Sequence, residues 1–175
     1  DRILVSRLLD AGALGINLCH AESTQQVDDM VRWMKYPPHG GRALAMGANT
    51  EYVDVDAGQY CREANEATMI VLKIESRKGI ENAEAMLSTG SVDGVVFGPV
   101  DLSVEWGVPG HPDDPEIAAA VERVSRMAMS RGIAVVGQAS DRATYDRERG
   151  AQLFFLPSEI ELIREAALDF MKRVS

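Results

Sequence analysis

The chain has 175 residues, the length of one domain, and 46% of them are hydrophobic, which is enough for a substantial core. Its net charge of −9 argues against nucleic acid or an anionic membrane as the main partner. No apolar run approaches the roughly 20 residues that span a bilayer, and the 2 cysteines form no disulfide framework. We therefore expect a cytoplasmic globular domain, with its substrate left undetermined by composition.

Strands and helices are predicted to alternate along the chain. Short apolar runs predict five buried strands, at 14–19, Met69–Ile74, 92–97, 133–137 and 153–156. Amphipathic spacing predicts helices at 2–11, about 24–35, about 55–67, about 79–87, about 115–130, 141–149 and Glu159–Val174. The stretches 36–54 and 103–114 are predicted to be irregular or loop.

Two predicted helices carry recognisable start signals. Ser23 and Gln26 form a candidate capping box, in which each residue satisfies a backbone amide at the helix start. Asp114 is a candidate cap and is followed by Pro115, whose missing amide suits the first turn of a helix. The alternation of strand and helix predicts an α/β protein, either an open doubly wound sheet or part of a (β/α)₈ barrel.

The central strand–helix–strand unit carries the residues around which the chain is organised. Its two strands are expected to be parallel neighbours, with Glu75 directly after the first and Asp101 just beyond the second. The carboxyl ends of such strands lie side by side, so both carboxylates can converge there. Two hard oxygen ligands suggest a divalent cation such as Mg²⁺ or Mn²⁺. The alternative is a pair of solvated loop carboxylates that cap the following helices.

Three segments resemble one known family over essentially the whole chain. KIESRKGIENAEAML, VDGVVFGPVDLS and GVPGHPDDPEI are similar to segments of the HpcH/HpaI aldolases, and the earlier YPPHGGR segment supports this resemblance. The resemblance decides between the two architectures. It implies a (β/α)₈ TIM barrel of which about strands four to eight and their helices are present, with residues 1–175 as one domain.

The resemblance also implies an activity and a set of site residues. Members of the family are class II, metal-dependent aldolases that cleave 4-hydroxy-2-oxo acids to pyruvate, or a related 2-oxo acid, and an aldehyde. The implied metal ligands are Glu75 and Asp101, holding Mg²⁺ or Mn²⁺, with Co²⁺ as a further option. The implied substrate carboxylate site is the backbone of Gly98, Pro99, Val100 and Asp101. A homo-oligomer is the expected assembly.

Two departures from the family pattern bear on this interpretation. The family sequence usually begins with about a third more residues, which supply a His acid–base group and an Arg, so we expect this chain to be part of a longer one or a truncated product. The position two before the metal-binding Glu is commonly Gln, and here it is Lys73. Period two places Lys73 on the face of Glu75. There it could pair with Glu75, contact an anionic substrate, compete with the metal or, least expected, form a Schiff base.

Two further residues are predicted at the site. Arg42 matches a family Arg at the active-site rim, with a solvated surface Arg as the alternative. His20 stands at the carboxyl end of the first strand, where it could line the substrate pocket. Two other functions remain open: another lyase or hydrolase of the superfamily, acting on an acyl-CoA or a phosphonate-like substrate, and a truncated, non-catalytic metal-binding protein.

Overall fold

The structure is a computed structural model that describes residues 1–138, 147 and 150–174. Within these residues, five strands form one sheet in which every neighbouring pair is parallel. The strands lie in chain order: β1 Gly15–Leu18, β2 Met69–Ile74, β3 Gly94–Phe97, β4 Ala134–Gln138 and β5 Ala151–Phe155. This sequential parallel order confirms the predicted α/β class and is the order expected for consecutive strands of a partial (β/α)₈ barrel.

Helices follow the strands, as the alternating pattern predicts. Their bounds are α1 Arg2–Asp10, α2 Thr24–Met34, α3 Ala57–Ala67, α4 Arg77–Leu87, α5 Pro99–Glu105, α6 Pro115–Ser130 and α7 Glu159–Val174. The capping box is present, with Ser23 Oγ accepting from the amide of Gln26 and Gln26 Oε1 accepting from the amide of Ser23. Asp114 caps α6, and its side chain accepts from the amide of Glu116.

The sheet is buried on both faces of its central strands. Ile70, Leu72 and Ile74 of β2 belong to the main core, together with residues of α1, α2, α4 and α6. Alternate positions on the opposite face form a second buried cluster of Val71, Val96 and Val136. Because side chains alternate along a strand, Lys73 lies on the same face as Val71.

The structure differs from the sequence prediction after β3. No helix is predicted between the strand at 92–97 and residue 115, but this region contains α5, a seven-residue helix that begins with Pro99 and overlaps the start of the predicted loop. Seven residues are too few for a clear helical period, and the loop residues that follow hide the pattern. Helix α4 also begins at Arg77, two residues before the predicted start, with Ser76 as its cap.

Two regions complete the description of the chain. The predicted helix at 141–149 lies outside the described residues, apart from residue 147. Across the described part of the chain, no helix combines the length and the apolarity needed to cross a bilayer.

Candidate functional site

The candidate site is the sheet edge where β2 and β3 end. Ile74 and Phe97 are register partners, so Glu75 and Gly98 leave their strands side by side. The amide of Gly98 donates to the carbonyl of Ile74 at 3.1 Å, which holds the two chain segments together beyond the last paired residues. Asp101 follows in the first turn of α5. The parallel register thus brings the two predicted carboxylates to one edge, as expected from the sequence.

The carboxylates of Glu75 and Asp101 converge beside Gly98. A Cβ at this position would lie 2.8 Å from Asp101 Oδ2 and 2.9 Å from Glu75 Oε2. Both oxygens are therefore within 3 Å of one point, a space that only a residue without a side chain leaves open. A glycine at 98 is a steric requirement for the convergence of Glu75 and Asp101.

Lys73 places its ammonium group between these carboxylates. Its Nζ contacts Glu75 Oε2 directly and lies 3.6 Å from Asp101 Oδ2. The Lys73 side chain is 30% exposed and the Glu75 side chain only 2%, so the pair is buried on the Glu75 side and open on the other. Of the sequence alternatives for Lys73, a pair with Glu75 is the contact that the structure contains.

His20 approaches the same carboxylate from the end of β1. Its amide donates to Glu75 Oε1 at 2.9 Å, and its Nε2 lies 3.7 Å from that oxygen. The backbone of His20 has a φ of 49°, in the left-handed region that residues with a side chain rarely adopt. Such strain is commonly retained at functional sites. The loop after β1 is thus held in a conformation that aims a backbone donor at Glu75.

The charges of the site stabilise one another. Burial by itself would raise the pKa of Glu75, but hydrogen bonds from the Lys73 ammonium and the His20 amide outweigh burial and hold that pKa below its ordinary value. The hydrogen bond to Glu75 is also the main reason that the pKa of Lys73 lies above its ordinary value. The Glu75 carboxylate is therefore ionised at neutral pH.

A second set of contacts fixes the loop that carries His20. Glu22 Oε1 accepts from the Ser76 hydroxyl at 2.7 Å, and the Asn82 side chain donates to the Glu22 carbonyl at 2.7 Å. A Cβ at Gly79 would lie 2.7 Å from the Ala21 carbonyl oxygen, so this loop packs directly on the start of α4. Glu22 and Ser76 are not predicted from the sequence. Ser76, a residue with strong capping preference directly before a helix, carries the one local signal that would have indicated it.

The donor set fits a hard divalent cation. Glu75 and Asp101 supply two carboxylate oxygens that lie close together beside Gly98, and Mg²⁺ is commonly held by one or two carboxylates while water and substrate fill its other positions. Among the described residues, no group of three or more His, Cys, Asp or Glu side chains is arranged as a complete metal cage. Two carboxylates are thus a set of protein ligands of the size that Mg²⁺ commonly uses.

Fewer backbone amides can donate to a substrate carboxylate than the sequence predicts. The Gly98 amide is already bonded to Ile74, and Pro99 has no amide proton to donate. The amides of Val100 and Asp101 stand in the first turn of α5, where backbone donors have no partner within the helix. Of the four predicted residues, these two amides remain for a substrate carboxylate, and that role stays a prediction.

Arg42 is not brought to this edge. Its guanidinium Nη2 pairs with Asp10 Oδ1 at 2.7 Å, and the Arg42 side chain is 2% exposed. It also stacks over the ring of Tyr36, 4.8 Å from the ring centroid. Asp10 ends α1, five residues before β1 begins, and Tyr36 follows the end of α2, so Arg42 lies towards the edge where strands begin. Its predicted contact with substrate remains a prediction without support from this geometry.

Comparison with known proteins identifies relatives across the whole chain. The family model described as HpcH/HpaI aldolase/citrate lyase matches residues 2–166. A hydroxypyruvate/pyruvate aldolase of Chromohalobacter salexigens is 30% identical over 99% of this chain and 69% of its own length. A hydroxypyruvate/pyruvate aldolase of Delftia acidovorans is 31% identical over 96% of this chain and 63% of its own length.

A solved structure agrees with the sequence relatives. The crystal structure of an HpcH/HpaI aldolase from Desulfitobacterium hafniense is similar with a TM-score of 0.91 and 31% identity, over 99% of this chain and 68% of that one. The chain thus spans about two thirds of the length of these relatives. The predicted family and the partial TIM-barrel fold are confirmed, and the chain belongs to the HpcH/HpaI aldolase/citrate lyase family.

Proposed function

We propose that the protein is a metal-dependent aldolase that cleaves or forms a 4-hydroxy-2-oxo acid, with pyruvate or a related 2-oxo acid and an aldehyde as the other reactants. The observation that carries the proposal is the convergence of Glu75 Oε2 and Asp101 Oδ2 over Gly98 at the carboxyl edge of a parallel sheet. The names of the relatives, pyruvate and hydroxypyruvate aldolases, support this activity class. Neither of these names favours an acyl-CoA or a phosphonate substrate.

Glu75 and Asp101 are the proposed ligands of Mg²⁺, Mn²⁺ or Co²⁺. When bound, the cation supplies Lewis-acid polarisation of the 2-oxo group. Glu75 is suited to its role because the His20 amide fixes its Oε1 atom, which leaves Oε2 beside Gly98, close to Asp101 Oδ2. Asp101 is more open, with 53% of its side chain exposed, so its side of the site is the one that substrate can approach.

The reaction follows from what a 2-oxo acid needs. In the cleavage direction, a base takes the proton of the 4-hydroxyl group, the C3–C4 bond breaks, and the aldehyde leaves while the bond's electron pair stays on the 2-oxo acid fragment. Protonation of C3 then gives pyruvate. The 2-oxo acid would lie between the buried carboxylate of Glu75 and the first turn of α5, where the amides of Val100 and Asp101 have no partner within the helix.

The proposal is tested on the complete natural protein with a panel of 4-hydroxy-2-oxo acids. Pyruvate release is measured through coupled lactate dehydrogenase, first with Mn²⁺, then after removal of metal by a chelator and after its return. We expect turnover that the chelator abolishes and metal restores. Glu75→Gln should lose turnover, while Glu81→Gln, on an exposed position of α4, should retain it. Chelator-insensitive turnover would contradict the proposed role of the two carboxylates.

A homo-oligomer is the proposed assembly, and the cytoplasm is the proposed location. The terminal helix α7 is exposed and includes the large apolar side chains of Ile160, Ile163 and Phe170. Exposed apolar surface is typical of regions that another segment of the protein or another subunit covers, and an oligomer would supply the second. Light scattering of the complete protein after size exclusion gives its mass in solution, and a monomer at every concentration would contradict the proposal.

A further inference from the structure

The ammonium group of Lys73 stands where the proposed metal would bind. Its Nζ contacts Glu75 Oε2 and lies 3.6 Å from Asp101 Oδ2, the two oxygens that close over Gly98. Because the ammonium group already lies against both of these oxygens, a divalent cation held by the same two carboxylates would meet Nζ and could not bind until Nζ moves away. If Glu75 and Asp101 are the metal ligands, the metal and the Lys73 ammonium would therefore exclude each other from the site.

The position of Lys73 is imposed by the strand. β2 pairs with β1 on one side and β3 on the other, so its backbone is fixed along its whole length. The period of two places Lys73 and Glu75 on one face, with Ile74 between them in the core behind. A lysine two residues before Glu75 therefore extends its side chain from the face that carries Glu75 whenever the sheet is formed.

The charges explain why this arrangement is stable without metal. Glu75 and Asp101 bring two negative charges together, and Glu75 is 2% exposed, so leaving it without a counter-ion would be costly. The Lys73 ammonium offsets one of the two charges. A divalent cation offsets both, but it must first break the contact between Lys73 and Glu75. The flexible stem of lysine and the 30% exposure of its side chain give the displaced ammonium a path towards solvent.

We propose that Lys73 is a tethered counter-ion that holds the metal position when no metal is bound and that a divalent cation must displace. The proposal rests on the proposed function, since it takes Glu75 and Asp101 as the metal ligands. It has two consequences. The metal-free protein is more stable than its two facing carboxylates alone would allow, and its affinity for metal is lower than that of the same site without the lysine.

The first test measures binding of Mn²⁺ alone by isothermal titration calorimetry, on the complete protein and on Lys73→Gln. We expect Lys73→Gln to bind Mn²⁺ about tenfold more tightly or better, because the competing charge is gone. Lys78→Gln is the matched control. Lys78 is an exposed lysine of α4 that pairs at 3.2 Å with Glu22, not with the proposed metal ligands, and its substitution should leave the affinity unchanged.

The second test follows thermal unfolding of the same proteins. Without metal, Lys73→Gln should unfold at a lower temperature than the natural protein, since its carboxylates face each other with no ammonium between them. Saturating Mn²⁺ should raise the unfolding temperature of Lys73→Gln by more than that of the natural protein. Lys73→Met, which keeps much of the aliphatic stem, replaces Lys73→Gln if the latter does not fold.

A third measurement needs no substitution. Acetylation of lysines in the natural protein, followed by mass spectrometry, should show Lys73 labelled several-fold faster with Mn²⁺ than without, while labelling of Lys78 stays constant. Equal Mn²⁺ affinity in the natural protein and Lys73→Gln, or Lys73 labelling that Mn²⁺ does not change, would overturn the tethered counter-ion. Absence of Mn²⁺ binding in both proteins would instead refute the proposed metal site, and the counter-ion proposal with it.

Discussion

The two edges of the sheet both hold charged side chains but arrange them in opposite ways. At the edge where strands begin, Lys35, Asp93 and Arg42 each have a partner in the fold. Lys35 Nζ donates to the Asn65 carbonyl at 2.6 Å, and the carboxylate of Asp93 accepts from the Ile70 amide at 2.7 Å. Arg42 is buried against Asp10. These contacts connect helices to strand starts, and burial lowers the pKa of Lys35 below its ordinary value.

At the edge where strands end, like charges converge. Glu75 and Asp101 face one point with a single lysine ammonium between them, and the nearby His20 is held in a left-handed conformation. This arrangement would be a poor way to stabilise a fold, because it concentrates negative charge and backbone strain. In barrels of this class the ends of the strands carry catalysis and their beginnings carry stability, and the two edges here follow that division.

The largest effect is expected from Asp101→Asn, which removes a carboxylate at the edge where strands end and leaves the opposite edge unchanged. Loss of one of the two carboxylates should lower kcat/KM for pyruvate release about a thousandfold, since metal Lewis acidity contributes several kcal/mol to the transition state. The side chain is half exposed, so the unfolding temperature should change little. Kinetics and thermal unfolding measured together check both parts. Activity within tenfold of the natural protein would exclude Asp101 as a ligand.

Gly98→Ala tests whether the two carboxylates need the space that the absent side chain of Gly98 leaves. Its Cβ would meet Asp101 Oδ2 and Glu75 Oε2 at under 3 Å, so the carboxylates must move apart. We expect kcat/KM to fall about a hundredfold, the size of loss that small misplacements in active sites produce. Gly41→Ala is the control, because its Cβ would meet its nearest neighbour at an ordinary 3.6 Å. Equal activity of the two variants would show that the carboxylates tolerate displacement.

Arg42→Met tests the opposite edge and separates stability from catalysis. Removing one partner of the ion pair with Asp10, which is 35% exposed, should reduce the free energy of unfolding by about 2 kcal/mol. Urea unfolding measures this loss, and Arg32→Met, on a largely exposed side chain, is the control. We expect kcat to be unchanged. A large fall in kcat at full stability would instead support the rim role predicted for Arg42 from the sequence.

The smallest effect is expected at Glu22, which supports the site from the side. The Ser76 hydroxyl, then Lys78, lower the pKa of Glu22 below its ordinary value of 4.5. A lowered pKa in the folded state means that the ionised carboxylate stabilises the fold above pH 4.5, and this stabilisation is lost as the pH falls through the lowered pKa.

The corresponding variant is Glu22→Gln. The free energy of unfolding of the natural protein should exceed that of Glu22→Gln by less than about 1 kcal/mol at pH 7, because the carboxylate is partly exposed, and by progressively less below pH 4.5. Urea unfolding at several pH values measures the difference. A gap that widens on acidification would contradict the sign of the pKa shift.

Local patterns in the sequence determined much of this protein. Apolar runs of strand length, the capping box at Ser23 and the proline after Asp114 predict the order of elements that the structure contains. Such features depend on residues within one turn or one strand, so the sequence displays them directly. The two carboxylates could also be placed at one edge, because parallel neighbours end side by side whatever their surroundings.

Other features needed the tertiary structure. That Arg42 is buried against Asp10, 32 residues away, follows from how α1 and α2 pack, and no local pattern encodes it. The short helix α5 was missed because seven residues give too little periodicity. The Gly98 amide is lost to the predicted carboxylate site because it bonds to the Ile74 carbonyl of the neighbouring strand, a contact that only the tertiary structure reveals.

The position of Lys73 depends partly on the local sequence and partly on the tertiary structure. The sequence alone determined that its side chain shares a face with Glu75, since that follows from the period of a strand. Only the tertiary structure decided which of its possible partners it reaches, because the closeness of its ammonium to Glu75 and Asp101 depends on the register of β2 and β3 and on the absent side chain of Gly98. Distances across strands are set by packing between segments that are remote in the chain, and a single sequence does not contain them.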